Sequence, residues 1–408
     1  MKQLLKKGLL LLVIPMILNC KDQTANKFKV LTLGNKIDSI DVELKKIEKL
    51  NTLSGFAVSV FTKDTILFQK GYGYSDIKAQ KPFTSDNVQI IASVTKTLVG
   101  VSLMQLVEKE QLSLDTPIND ILPYKVVNPY FPEEEITLRH LATHTSTITG
   151  TKKSDKGYRF ETPLKLENFS KEHREIYEKL IGVYNKTESL SMKEFLQRKL
   201  SNKGIWYEQA IFKNAKPGTN YNYSNLGIAL LSHCIEIKTG KSFKDLSLEN
   251  ILEPLAMNHS TWELSQVDPN QHVRYYYEVD KELPKYHIIT YPDGGLYSSV
   301  TDMTKYLQEI IRSYDGKGSL LQSKSVKEMI RKQFEGEELT EGICWDLSFE
   351  GLAGHPGNDF GTSTLMYFNP TTGVGRILFT NTSTENEAQE DAFYSIFNTL
   401  FLYDLLNN

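Results

Sequence analysis

The strand-like segments of this chain lie near its two ends, and the long stretch between them consists mainly of helical patterns and loops. Residues 56–61 and 65–70 are rich in β-branched and aromatic residues on either side of a short polar turn, which is typical of a hairpin. Similar runs return at 343–348, 363–368 and 375–380. This order predicts an α+β fold, in which helices flank one antiparallel sheet and a helical lobe is inserted between its halves.

Segments with apolar residues at helical spacing complete this pattern. They cover residues 38–50, 95–107, 301–312 and 387–406, and the spacing predicts helices with one buried face. The first of them indicates that the folded domain begins near residue 36. We expect the active site at the seam between the sheet and the helical lobe.

The first 35 residues carry the signals of an exported protein. Lys2, Lys6 and Lys7 precede an apolar run at 9–18, which is the pattern of a secretory signal peptide and is too short to span a bilayer. Cys20 follows this run in a way that is similar to a bacterial lipoprotein signal, which implies a lipid anchor on Cys20. The alternative is an ordinary secreted protein with a coincidental cysteine. Both place the protein outside the cytoplasm, in the periplasm or at the cell surface.

The composition is that of an ordinary globular protein. Of its 408 residues, 40% are hydrophobic and 24% are charged. The formal net charge of −3 gives no sign of nucleic-acid binding. Cys234 and Cys344 are too few for a disulfide framework, so we expect both to be buried free thiols.

The first motif that carries chemistry is Ser93-Val94-Thr95-Lys96, at the start of a predicted helix. Residues three apart on a helix share a face, so the Lys96 ammonium can reach the Ser93 hydroxyl. A serine needs such a neighbouring base to become a nucleophile, and S-x-x-K is a known signature of serine acyl-transfer sites. The same spacing at Ser75 and Lys78 lies in a turn with no apolar helix behind it, which favours Ser93.

The second motif is Tyr223-Ser224-Asn225, which precedes an apolar helical run at 226–237. A phenol near an ammonium can shuttle a proton, and an asparagine amide can orient a substrate amide. A core tyrosine followed by a helix cap is the alternative interpretation.

The third motif is His355-Pro356-Gly357, followed by Asn358. A histidine here can donate a hydrogen bond or carry charge toward a substrate carboxylate, and Gly357 lets backbone approach closely. Taken alone, the motif would more often be a surface turn. The stretch 238–240, Lys-Thr-Gly, resembles a commoner form of this motif, but it ends a predicted helix, where its glycine acts as a helix stop.

The order and spacing of the motifs identify a family. Ser93, Tyr223 and His355 follow one another 130 and 132 residues apart. Over residues 38–405 the chain resembles the serine β-lactamase-like hydrolases, in the branch shared by class C β-lactamases, D-alanyl-D-alanine carboxypeptidases, D-amino-acid peptidases and esterases. Further matching landmarks lie at 71–74, 105–123, 136–146, 252–257 and 294–299. The resemblance implies a β-lactamase/transpeptidase-like fold.

Matched residue by residue, the resemblance implies that Ser93 is the nucleophile and that Lys96 and Tyr223 form the proton-transfer pair. It also implies that Asn225 binds an amide of the substrate. No metal ion or organic cofactor is required by this chemistry.

The resemblance also gives roles to the third motif. His355 stands where many relatives carry lysine. The backbone N–H groups of Ser93 and Asn358 are expected to form the oxyanion hole, and Gly357, next to Asn358, is expected to let the backbone approach closely. Pro356 departs from the family pattern, because it replaces a hydroxyl residue and removes a backbone donor. This departure puts recognition of a substrate carboxylate in doubt.

These observations predict a serine hydrolase that forms an acyl-enzyme on a peptide, ester or β-lactam carbonyl. The alternative is a penicillin-recognising binding or sensor lipoprotein of the same fold that does not turn over, and a catalytically inactive scaffold is a third hypothesis. We expect a small-molecule or peptide substrate, attachment to a membrane through the lipid anchor, no nucleic-acid partner and a monomer.

Two features of the middle of the chain favour structural interpretations. His140 and His144 have metal-ligand spacing, but Leu141 occupies the place of a zincin glutamate, which favours a structural role. Residues 151–200 are charged and are expected to be solvated helix faces, with a substrate-selecting lid as the alternative. The predicted organisation is a signal peptide at 1–19, a tether at 20–35 and a hydrolase domain at 36–408, with a sheet lobe at 36–92 and 290–408 and a helical lobe at 93–289.

Overall fold

The computed structural model describes residues 33–149, 157–163, 167, 169, 171, 174, 190–279, 281–336 and 339–402. The predicted signal peptide, Cys20 and most of the predicted tether lie outside these residues. The first helix, α1, begins at Leu33, so folded structure starts slightly before residue 36. In the part of the chain that the structure describes, every helix is too short or too polar to cross a membrane.

Both ends of the chain contribute to one six-stranded antiparallel sheet, as the sequence predicts. Its order is β10-β11-β12-β1-β2-β3, and the ends meet where β1 pairs with β12, with Phe56 opposite Thr380. The strands are β1 (Gly55–Thr62), β2 (Ile66–Asp76), β3 (Lys81–Pro82), β10 (Ala353–Asp359), β11 (Thr362–Asn369) and β12 (Val374–Thr380). The remaining strands form three two-stranded pairs: β4 (Gln89–Ile90) with β9 (Tyr297–Ser298), β5 (Tyr158–Phe160) with β8 (Tyr286–Ile288), and β6 (Tyr275–Tyr276) with β7 (Glu282–Leu283).

The helices mostly follow the predicted apolar spacing. The predicted segments 95–107 and 301–312 are helical almost from end to end, while the last helix begins as predicted and ends earlier, at Thr399. The helices are α1 (Leu33–Glu48), α2 (Lys96–Glu108), α3 (Leu138–Ala142), α4 (Met192–Leu200), α5 (Asn225–Thr239), α6 (Phe243–Ser247), α7 (Val300–Tyr314), α8 (Ser323–Met329) and α9 (Glu387–Thr399). The α+β fold class is therefore confirmed.

The central strands β1, β11 and β12 are buried on both faces, and successive side chains along each strand point to opposite faces. On β1, Phe56, Val58 and Val60 belong to a core cluster that includes residues of α1 and α9. Ala57 and Phe61 belong to the larger cluster on the other side, which continues into the helical part of the chain. The sheet thus has one helical layer on its outer face and the bulk of the protein on its inner face.

One predicted strand is wrong. Residues 343–348 form only isolated bridges, in which Asp346 pairs with Glu341 and Gly354. The reason is local: Cys344 has a φ of 59°, in the left-handed region, and such a residue interrupts an extended strand. Cys344 and Cys234 are nevertheless buried free thiols, as predicted.

The edge strand β10 positions the third motif. Its seven residues pair with β11, and the contacts of β10 with the 3₁₀ turn Ala92–Thr95 bring it beside the start of α2. Gly240 caps α5 with a φ of 70°, which confirms that the Lys-Thr-Gly at 238–240 is a helix end.

Candidate active site

Ser93 and Lys96 meet at the junction between a 3₁₀ turn and a helix. Ser93 lies in the turn Ala92–Thr95, and Lys96 is the first residue of α2. The Lys96 Nζ donates to the Ser93 Oγ over 2.9 Å. Ala92, just before the serine, has a φ of 48°, which is uncommon for a residue other than glycine. Local backbone geometry therefore presents this hydroxyl to the lysine.

The Lys96 ammonium is fully buried and has a second polar partner. It donates to the backbone carbonyl of Asp293, in the turn before β9, which sequence reasoning did not identify. Burial raises the pKa of the Asp293 carboxyl to about 6, and the nearby Lys96 charge opposes this shift. The Asp293 carbonyl and the Ser93 Oγ together hold the Lys96 Nζ in place.

Tyr223 approaches the same hydroxyl from the segment before α5. Its phenol OH lies 2.7 Å from the Ser93 Oγ, and the Lys96 Nζ lies 5.1 Å from the centroid of its ring. The following residue, Ser224, caps α5 by accepting the N–H of Gly227. The structure therefore brings the three predicted catalytic side chains together, although 130 residues separate Ser93 from Tyr223.

Asn225 is the first residue of α5, two positions after Tyr223, and is exposed. Its location beside the catalytic tyrosine is compatible with contact to a substrate. Binding of a substrate amide by Asn225 stays a prediction.

The third motif lies against the nucleophile through its glycine. A Cβ atom on Gly357 would come within 2.4 Å of the Thr364 Oγ1, 2.7 Å of the Ile91 carbonyl oxygen and 3.0 Å of the Ser93 backbone nitrogen. Only glycine permits the strand to run this close to Ser93. Asn358 follows on the same edge strand, and the role of its backbone N–H in an oxyanion hole stays a prediction.

His355 is buried and faces the catalytic groups. Its ring centroid lies 6.3 Å from that of Tyr223, and only 2% of the residue is exposed. Burial, reinforced by the positive charge of Lys96, lowers the pKa of His355 to about 4. The imidazole is therefore neutral near pH 7, whereas a lysine at this position would supply a positive charge.

Part of the segment at 151–200 contacts the end of β10. The Tyr158 hydroxyl donates to the Asp359 carboxylate over 3.1 Å, and the rings of Tyr158 and Phe160 pack edge to face against Phe360. Burial raises the pKa of Asp359 to about 7. Aromatic side chains of β5 thus lie beside the third motif, residues Met192–Leu200 of the same segment form α4, and most of residues 164–189 lie outside the described residues.

His140 and His144 do not form a metal site with each other. Helix α3 ends at Ala142, and His144 has a φ of 58°, so the two rings do not share a helix face. His140 caps α3, where its Nδ1 accepts the N–H of Thr137. No group of three or more potential metal ligands occurs among the described residues. His144 instead contacts Tyr223, a relation that no sequence pattern suggested.

Comparison with known families gives one broad match. A family profile described as Beta-lactamase matches residues 45–401, which is most of the chain. This range includes all three motifs.

Two curated relatives are 22% and 26% identical to the chain over the aligned residues. The serine beta-lactamase-like protein LACTB, mitochondrial, of Homo sapiens is 26% identical over 64% of this chain and 54% of its own length. Protein flp of Staphylococcus aureus (strain MW2) is 22% identical over 82% of this chain and 60% of its own length. The chain therefore spans little more than half the length of these relatives.

Solved structures share the fold. The octameric penicillin-binding protein homologue from Pyrococcus abyssi superposes with a TM-score of 0.67 at 24% identity, over 90% of this chain and 77% of its own. The penicillin binding protein from Bacillus halodurans gives a TM-score of 0.62 at 20% identity, over 88% of this chain and 98% of its own. These similarities establish the β-lactamase/transpeptidase-like fold.

Proposed function

The chain belongs to the Beta-lactamase family, a membership that supports a serine hydrolase-like function, and we propose that it hydrolyses its substrate through a covalent acyl-enzyme on Ser93. The observation that carries this proposal is the position of one hydroxyl between two proton-transfer groups. The Ser93 Oγ lies 2.9 Å from the Lys96 Nζ and 2.7 Å from the Tyr223 hydroxyl. Both distances lie in the range over which a general base takes a proton.

The proposed reaction has two half-reactions. In the first, the Ser93 Oγ bonds to the carbonyl carbon and its proton passes to Lys96 or Tyr223; the carbonyl π electrons move to oxygen. The tetrahedral intermediate then collapses, the leaving group departs with a proton returned by this pair, and an ester on Ser93 remains. In the second, water adds to that ester, and the acid is released as Ser93 regains its proton.

We further propose that the substrate is an ester or amide without a carboxylate next to the scissile bond. Three features of the third motif support this preference. His355 is neutral near pH 7, Pro356 has neither a side-chain hydroxyl nor a backbone N–H, and Pro356 faces solvent. An anionic group would therefore find fewer donors here than beside a lysine and a hydroxyl residue.

Intact mass spectrometry after exposure to a fluorophosphonate tests the nucleophile. We expect the wild-type protein to gain one adduct and Ser93→Ala to gain none, while Ser75→Ala, which alters the other S-x-x-K serine, labels like wild type. Equal labelling of wild type and Ser93→Ala would refute the proposal.

Turnover assays then rank substrates and separate hydrolysis from stable acylation. We expect steady release of product from a p-nitrophenyl ester and slower turnover of nitrocefin and of a D-alanyl-D-alanine peptide. A penicillin adduct on Ser93 that persists for hours, with no turnover of any ester, would favour the non-hydrolytic sensor instead.

We also propose that the protein is exported and carries a lipid on Cys20. The support is the sequence alone, a basic and apolar leader followed by this cysteine. Metabolic labelling with a fatty-acid analogue in a bacterial host should mark the wild type and Cys234→Ala but not Cys20→Ala. Labelling of Cys20→Ala would contradict the anchor.

A further inference from the structure

His144 is attached to the segment that carries Tyr223 by three contacts. Its backbone carbonyl accepts the N–H of Asn222 over 2.8 Å, and its Nδ1 accepts the N–H of Ser224 over 3.1 Å. Its ring centroid lies 4.4 Å from that of Tyr223. The histidine thus holds the backbone on both sides of Tyr223 and one face of its ring.

The hydrogen bond to Ser224 defines the protonation of this histidine. Because Nδ1 accepts a backbone N–H, it carries no proton, and the neutral ring bears its proton on Nε2. The residue is 1% exposed, and burial holds the pKa of His144 well below its usual range, with Lys96 and His355 acting in the same direction. A neutral imidazole can pack against Tyr223 without adding a second positive charge beside Lys96.

Two unfavourable features are concentrated in His144. Its backbone adopts a φ of 58°, which a bulky residue rarely does, and its buried Nε2 has no hydrogen-bond partner among the residues that the structure describes. Each feature costs free energy of folding. Strain and unsatisfied donors of this kind are typical of residues retained for a site rather than for the core.

Tyr223 needs such support because it is not held by burial. The residue is 41% exposed, yet its hydroxyl has to remain within hydrogen-bonding distance of the Ser93 Oγ. An exposed phenol on an irregular segment can adopt other rotamers. His144 makes the shortest ring contact that opposes this motion, with centroids 4.4 Å apart, whereas the His355 ring lies 6.3 Å away.

We propose that His144 is a positioning residue, which holds the Tyr223 phenol in line with the Ser93 hydroxyl through its ring and through its bond to Ser224. This inference rests on the proposed acylation of Ser93. His144 acts through Tyr223, and neither Ser93 nor Lys96 is among its hydrogen-bond partners.

Two substitutions remove one contact each. His144→Asn keeps an acceptor for the Ser224 N–H and suits a positive φ, but it loses the ring. His144→Phe keeps a ring and loses the acceptor. We expect each to lower the rate of fluorophosphonate labelling and the kcat for an ester by about tenfold, which corresponds to 1.4 kcal/mol, with KM changed less than twofold. His140→Asn is the matched control; it removes a helix-capping ring on α3 and should leave both rates unchanged.

A double-mutant cycle with Tyr223→Phe separates positioning from a general loss of structure. If His144 acts through the phenol, adding either substitution to Tyr223→Phe should change the labelling rate less than twofold. Equal tenfold losses in both backgrounds, or wild-type rates for both single variants, would overturn the inference. Circular dichroism identifies any variant that fails to fold. If one of the two His144 variants fails to fold, the labelling rates of the other variant test the inference. Because Ser93→Ala tests the nucleophile separately, failure of this inference and failure of the proposed function remain distinguishable.

Discussion

The two sides of Ser93 differ in how closely they follow the family pattern. On the proton-transfer side, formed by Ser93, Lys96 and Tyr223, every expected side chain is present and within hydrogen-bonding distance of the serine. On the strand side, formed by residues 355–358 of β10, the backbone approach to Ser93 is kept, but the side chains differ from the usual lysine and hydroxyl residue. The proton-transfer side chains and the side chains of the third motif therefore lie on separate elements of the fold.

The electrostatics of the two sides differ in the same way. The proton-transfer side holds a fully buried lysine that donates to Ser93 and to a carbonyl. The strand side holds a buried histidine whose pKa is lowered to about 4 by burial and by that lysine. Because its imidazole is neutral near pH 7, the strand side offers no cation at residue 355 to an anionic group of a substrate.

The largest expected effect comes from the proton-transfer side. Lys96→Ala should lower kcat for an ester by on the order of 10³-fold, because Ser93 loses one of the two groups within hydrogen-bonding distance that can take its proton. The measurement is steady-state turnover of a p-nitrophenyl ester. Lys78→Ala, at the exposed lysine of the other S-x-x-K pattern, should retain wild-type kcat. A Lys96→Ala variant that folds and keeps its activity would remove Lys96 from the mechanism.

A substitution at Gly357 tests whether the close approach of the β10 backbone to Ser93 is needed for activity. Gly357→Ala should lower kcat for all substrates by about 100-fold, because the new Cβ would lie 3.0 Å from the Ser93 nitrogen and force the strand away from an oxyanion. Gly240→Ala provides the control, since its Cβ would meet no atom within 4 Å. That variant should lose about 1 kcal/mol of stability, because of its φ of 70°, and no activity. Equal kcat for Gly357→Ala and wild type would show that this strand does not shape the oxyanion site.

The contact within the first motif could be predicted from helix geometry, whereas the contacts of the other two motifs with Ser93 could not. Ser93 and Lys96 lie one helical turn apart, so their spacing alone predicts that they meet. Tyr223 and His355 reach the site through tertiary packing, and only the family resemblance implied that they lie beside Ser93. The contact between Lys96 and the Asp293 backbone carbonyl cannot be predicted from the sequence, because every residue type has a backbone carbonyl.

The strands show a similar limit. The sheet of β1, β2, β11 and β12 follows from apolar, β-branched runs, and these were predicted correctly. Residues 343–348 also contain large apolar side chains but form no strand, because the left-handed Cys344 lies among them. The left-handed backbone angle of Cys344 cannot be inferred from its residue type, because cysteine is also found in extended strands.

Substitution of His355 by lysine tests whether a positive charge on the strand side changes the substrate preference. His355→Lys should raise kcat/KM for nitrocefin, which carries a carboxylate, about tenfold relative to an uncharged ester, since a nearby cation attracts the anion. His355→Gln, which is neutral, should leave this ratio unchanged. If the two variants give the same ratio, charge at residue 355 does not determine substrate preference.

The smallest expected effect is on stability, and it follows from the depressed pKa of His355. Between its usual pKa of 6.5 and about 4, the unfolded chain binds a proton at this histidine that the folded chain excludes, so stability falls as the pH is lowered through this window. Urea midpoints of wild type and His355→Gln should therefore diverge below pH 6.5, with wild type losing more. Lys96 and Asp346, the charged groups that act on His355, are present in both proteins, so the difference isolates the imidazole. Parallel curves from pH 7 to pH 4 would mean that His355 takes up its proton in the folded protein as readily as in the unfolded chain, and the strand side would then become cationic in mild acid.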